Sequence, residues 1–88
     1  MNEFQSIFKH DFADYLETSQ GTISKDILRN TRGVLLTFDS LLANENAREI
    51  SEMIVNQWIR ELHQINAPKT VSDKVSYLRK FQIGRAHV

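Results

Sequence analysis

Eighty-eight residues with 41% hydrophobic content and no cysteine imply one small domain that folds without disulfides or thiolate metal sites and suits a reducing cytoplasm. No apolar run approaches the length of a membrane span. The opening MNEFQSIFKHDF carries acids and aromatics where a signal peptide needs a basic start and an apolar block, so the reading is a cytoplasmic protein with no membrane role. The net charge is zero, which by itself argues against a nucleic-acid binder. Its distribution does not: residues 1–18 carry a net −3 (Lys9 against Glu3, Asp11, Asp14 and Glu17), and residues 64–82 a net +3 (Lys69, Lys74, Arg79 and Lys80 against Asp73). Segregated charge of this kind can place one sign on one surface.

Four helices are predicted, in chain order. The first runs from about Asn2 to Thr18, where Phe4, Phe8, Phe12, Tyr15 and Leu16 recur at helical spacing. SQGT interrupts it, with Gly21 supplying backbone freedom and Thr22 or Ser24 available to cap the next helix. The second spans Ser24 to Leu42 and sets Ile27, Leu28, Thr31, Val34, Leu35, Phe38, Leu41 and Leu42 on one broad arc. After the polar ANENA, Ile50 and Ser51 read as a staple residue and an N-cap for a third helix to about His63, burying Ile54, Val55, Trp58, Ile59 and Leu62. Pro68 marks the next boundary. Thr70 is expected to cap a fourth helix, with Val71, Val75, Leu78 and Phe81 on its buried side. Leu78 to Phe81 read as the middle of an amphipathic helix, yet Gly84 and a small tail follow with no capping chemistry and no second apolar run. No stretch shows sustained two-residue alternation. The fold class is therefore all-α, a compact four-helix bundle whose shared core contains Phe8, Phe12, Leu35, Phe38, Trp58, Leu62, Val75 and Leu78.

Motifs for catalysis are missing. His10 and His63 stand far apart, with no second histidine beside either, which does not make a metal site. Phosphate-binding loops need several glycines together, and nothing marks a nucleophile elbow. No catalytic residue, metal or cofactor is expected. Trp58 and the phenylalanine stripe read as core rather than as a ligand cage.

The polar faces say more. At 100° per residue, Lys25, Arg29 and Arg32 fall on one side of the second helix, opposite its apolar arc. On the fourth, Lys69, Ser72, Ser76 and Lys80 form a second stripe, with Arg79 at its edge. Basic groups beside hydroxyls suit phosphates and base edges, although the same spacing also describes an ordinary solvated helix face. Gly33, in mid-helix, either admits a close neighbour or is simply tolerated.

The succession ISKDILRNTRGVLLTFDSLL, REISEMIVNQWIRELHQ and APKTVSDKVSYLRKF resembles the N-terminal core-binding domain of tyrosine recombinases, the phage-integrase family, with its SAM-like helical fold. The likeness lies in the order of parts: a Leu- and Phe-rich helix, a helix ending in W-I-x-x-L, a short turn, then T-V-x-x-K-V-x-x-L-R-K-F as the closing pattern. It covers about residues 4–81 of the chain.

In that family the domain clamps one face of duplex DNA, while a larger C-terminal domain carries the arginines, histidine and tyrosine that cut it. The resemblance implies that residues 1–82 are such a DNA-binding domain from a bacterial or phage-encoded recombinase, without its catalytic domain. It also implies a fragment that is monomeric and non-catalytic, from a parent that oligomerises on double-stranded DNA. The two helices that face the major groove in the family correspond here to the second and fourth. The expected DNA-binding residues are Lys25, Arg29, Arg32, Lys69, Thr70, Ser72, Ser76, Arg79 and Lys80. A small helical protein-interaction module without a nucleic-acid role is the alternative. Finally, IGRAHV is what results from translating ATC GGA AGA GCA CAC GTC, a stretch of a widely used sequencing adapter, so residues 83–88 are expected to be an artefact.

Overall fold

The computed structural model describes the backbone of residues 3–86 and the side chains of residues 3–84. It is an all-α bundle of four helices: α1 (Lys9–Ser19), α2 (Lys25–Asn44), α3 (Glu52–Ile65) and α4 (Pro68–Ala86). Ser24 and Ser51 cap α2 and α3, their hydroxyls accepting from the backbone N–H of Ile27 at 3.2 Å and of Ile54 at 3.3 Å. Each satisfies a donor that the first helical turn leaves orphaned and typically contributes about 1 kcal/mol. Gly21, at φ 84°, makes the left-handed turn between α1 and α2, and Asn46, at φ 51°, makes the one after α2.

The core is a continuous aromatic and aliphatic cluster to which every helix contributes. Phe12 sits at its centre, fully buried, with ring centroids at 5.2 Å from Phe4, 4.9 Å from Phe81 and, edge-on, 6.4 Å from Phe38. Phe38 in turn meets Trp58 edge-on at 5.5 Å. These tilted and T-shaped pairs follow the ring quadrupole and join α1, α2, α3 and α4 through one set of contacts. The predicted core is buried as expected, except that Val75 is only half-buried at the cluster's margin. Ile27, placed on the apolar arc of α2, is exposed because it lies in the first turn of α2, before the helix enters the bundle.

Two boundaries differ from the sequence reading. The first helix begins at Lys9, not near Asn2, which itself lies outside the described residues. Residues 3–8 instead run as an irregular strap whose side chains alternate: Phe4, Ser6 and Phe8 are buried, Glu3, Gln5 and Ile7 exposed. The cause is a side chain 33 residues away, because the Asp39 carboxylate accepts from the backbone N–H of Gln5 at 2.7 Å and of Ser6 at 3.0 Å. Those amides take a charged acceptor in place of a helical one. The second difference is the start of α4, which is Pro68 itself. Proline's fixed φ and missing N–H suit the first helical position, and the Ala67 carbonyl accepts from Val71 N–H at 3.0 Å. Thr70 therefore lies inside the first turn and is not the cap. At its other end α4 runs through Gly84 to Ala86. A single glycine costs a helix only about 1 kcal/mol relative to alanine, and no proline follows. His87 and Val88 lie outside the described residues.

Candidate nucleic-acid interface

The basic stripe of α2 lies where the periodicity puts it: Lys25, Arg29 and Arg32 are all exposed, opposite Val34, Leu35, Phe38 and Leu42. On α4, Lys69, Thr70, Ser72, Ser76 and Lys80 are exposed as well, and Arg79 is half-buried. What the sequence did not reveal is how thoroughly these cations are already paired. Arg29 Nη2 donates to Asp26 Oδ1 at 3.0 Å within α2, and Lys69 Nζ lies 3.9 Å from Asp73 one turn on. Arg32 meets Glu3 of the N-terminal strap. Lys25 and Lys80 have no carboxylate partner among the described residues. The face is therefore less positive than its lysines and arginines alone suggest.

These pairs are not equivalent. The side chains of Arg29 and Asp26 are 77% and 82% exposed, a setting in which an ion pair contributes about 0–1 kcal/mol and exchanges readily for another anion. Arg79 is different. Its guanidinium forms a fork on Glu52, Nη1 to Oε1 at 2.9 Å and Nη2 to Oε2 at 3.4 Å, and Nη1 also donates to Gln82 Oε1 at 3.0 Å. The hydrogen bond from Arg79, and then its charge, hold the Glu52 carboxyl below the ordinary glutamate range. Glu52 occupies the first turn of α3, where the helix dipole also favours an anion. Arg79 thus fastens α4 to the start of α3 and is not a spare cation.

Two features of the site escaped the sequence reading. Asp39 is 2% exposed, although at 100° per residue it stands only about 20° from Arg32, at the polar edge of the apolar arc of α2. The strap covers it and supplies the partners that a buried charge requires, and no local pattern in the sequence signals this. The other is Glu3, whose place opposite Arg32 depends on the path of the strap. Arg32 to Asp39 along α2 is roughly 10 Å at 1.5 Å per residue, and Glu3 to Ser6 in extended chain is also roughly 10 Å. The strap therefore lies alongside α2 in the same direction, with Glu3 at Arg32 and Ser6 at Asp39.

Elsewhere the surface is shallow. A groove of about 240 Å³ is lined by Ile7, Leu42, Ala43, Ala47 and Arg48, and it adjoins another of about 270 Å³ that includes Met53, Ile54 and Gln57. Among the described residues no three His, Asp or Glu side chains come together as a metal-binding group, and no helix is long and apolar enough to cross a membrane. Comparison with protein-family models, with curated proteins and with solved structures finds no match.

Proposed function

We propose that this chain is a duplex-DNA-binding module of the kind it resembles in sequence, the core-binding domain of a tyrosine recombinase, and that it clamps DNA without cutting it. The observation that carries the reading is that two helices each present an exposed basic face, Lys25, Arg29 and Arg32 on α2 and Lys69, Ser72, Ser76 and Lys80 on α4. Exposed cations supply the phosphate contacts that give affinity and register, and the serine hydroxyls beside them can reach base edges. The carboxylates paired with Arg29, Arg32 and Lys69 exchange for phosphate at little cost, because those pairs stand in solvent. Strand cleavage belongs, in this reading, to a separate catalytic domain of a cytoplasmic bacterial or phage-encoded parent, and assembly on DNA to that parent as well.

Titration of a fluorescent duplex across a salt series tests the reading. About four phosphate contacts give a log–log slope near −3.6 and a Kd of roughly 10⁻⁴ to 10⁻⁶ M near physiological salt. Loss of two contacts in an Arg29→Ala/Arg32→Ala variant is expected to flatten the slope by about 1.8. Equal binding by the variant and the parent at low salt would remove the support for this function.

One observation favours a second reading, a protein-interaction module. Ile7 and Met53 are 67% and 79% exposed beside the paired grooves at the α2–α3 turn, on a surface that the basic stripes do not include.

A further inference from the structure

The carboxylate on Arg32 differs in origin from the one on Arg29. Asp26 is a neighbour on the same helix, three residues away, as on many solvated helices. Glu3 is 29 positions removed and reaches Arg32 only because the strap is fixed in place. Phe4 and Phe8 are buried on either side of Ser6, and Asp39 holds the amides of Gln5 and Ser6. The Ser6 hydroxyl accepts in turn from Phe8 N–H at 3.1 Å, and the Ser6 carbonyl from Lys9 N–H at 3.1 Å, which sets the turn into α1. Glu3 is thus the exposed end of a segment anchored at three consecutive positions, Phe4, Gln5 and Ser6. Its side chain and that of Arg32 are each about half exposed, 52% and 49%, so the pair is open to competition from solution.

We propose that Glu3 is a built-in competitor for the anion that Arg32 would bind, an autoinhibitory contact in which a strap carboxylate occupies the place of a DNA phosphate. The proposal rests on the DNA-binding reading and adds its regulation. Duplex binding must displace Glu3 from Arg32, and the freed carboxylate then takes up a cation from solution. That uptake offsets part of the counterion release that drives association. The strap need not detach for this exchange, because Asp39 and the two phenylalanines hold it at other positions. The contact therefore lowers affinity by a small, salt-dependent factor and does not block the face.

The test compares the parent chain with Glu3→Gln, Arg32→Ala, the double variant, and Glu61→Gln, in duplex titrations from low to moderate salt. Glu61 is an exposed carboxylate on α3, bonded to Gln57 and to neither basic stripe, so it controls for unit charge alone. Glu3→Gln is expected to bind about two- to five-fold tighter, the range an exposed ion pair supports, with a slope steeper by up to about 0.9. Glu61→Gln is expected to stay close to the parent, and the gain from Glu3→Gln to vanish once Arg32 is alanine. A Glu3→Gln gain no larger than that of Glu61→Gln, or one that survives loss of Arg32, would overturn the proposal while leaving DNA binding intact. If neither the parent nor Glu3→Gln binds duplex at the lowest salt, the DNA-binding reading has failed and this contact has no such role.

Discussion

Replacing Asp39 with alanine isolates a buried carboxylate that shapes the fold. Its two oxygens accept separately, Oδ2 from Gln5 N–H at 2.7 Å and Oδ1 from Ser6 N–H at 3.0 Å, both within the range of well-formed amide hydrogen bonds. Hydrogen bonds to a charged acceptor contribute about 1.5–3 kcal/mol each, so losing both would cost about 3–6 kcal/mol if the donors stayed buried and unpaired. Gln5 is exposed and its amide can regain water, which brings the expected loss to about 2–4 kcal/mol. The substitution Asp39→Asn would recover little, because the single oxygen of a carboxamide serves one amide while its NH2 faces the other, donor against donor. The assay is urea unfolding of the parent, Asp39→Ala and Asp39→Asn, with amide hydrogen exchange read at Gln5 and Ser6. Both variants are expected to shift the midpoint downward, with those two amides exchanging far faster than the centre of α2. An Asp39→Ala stability within about 0.5 kcal/mol of the parent, the range of ordinary surface changes, with both amides still protected, would refute the idea that this carboxylate holds the strap.

Trp58→Ala is expected to cost about 3–5 kcal/mol, a large share of the roughly 5–15 kcal/mol available to a small domain. The side chain is 2% exposed, packs edge-on against Phe38 and donates to Thr37 Oγ1 at 3.4 Å, so a calorimetric Tm close to that of the parent would contradict its central place. Gly33 is helical, exposed and has nothing within 4 Å of where a Cβ would stand. Gly33→Ala should therefore stabilise α2 by about 0.5–1 kcal/mol in chemical denaturation. Because Arg79 depresses the Glu52 pKa, the stability from that pair is present above the unfolded-state value and lost as the pH falls through the folded one. The gap in unfolding midpoint between the parent and Glu52→Gln should accordingly be open at neutral pH and narrow as the pH falls through and below the ordinary glutamate range. Removal of residues 83–88 leaves the Arg79–Gln82 contact intact and takes away the exposed Ile83. It should change stability by less than about 0.5 kcal/mol in the same assay.

The helices were legible because their signals are local. Ser24 and Ser51 stand immediately before apolar runs of helical period, and both cap as the sequence implies. Leu35, Phe38, Trp58 and Leu78 are the central members of their stripes and are buried for that reason. The N-terminal strap was missed because Phe4, Phe8 and Phe12 are four apart, a spacing compatible with a helix and also with the two-residue alternation of EFQSIF. What decides between them is Asp39, distant in sequence, and no local pattern reports it. Pro68 marks the boundary as read, but the helix starts on Pro68 itself, so Thr70 is not its cap. The charged faces were half legible. Which way Lys25, Arg29 and Arg32 point follows from the helical period, but the carboxylates of Glu3 and Glu52 meet Arg32 and Arg79 across elements, and such pairings require the tertiary fold.

Amide chemical-shift mapping of the isotope-labelled chain during titration with a short duplex tests the central claim most directly, because it locates the contact as well as detecting it. Shifts are expected to concentrate at Lys25, Arg29 and Arg32 on α2 and at Lys69, Ser72, Ser76 and Lys80 on α4, to spare Glu61 and the Ile7–Met53 surface, and to fade as salt is raised, since counterion release drives the binding. Saturating duplex at low salt with no shifts on those two faces, or with shifts centred on Ile7 and Met53, would contradict the account.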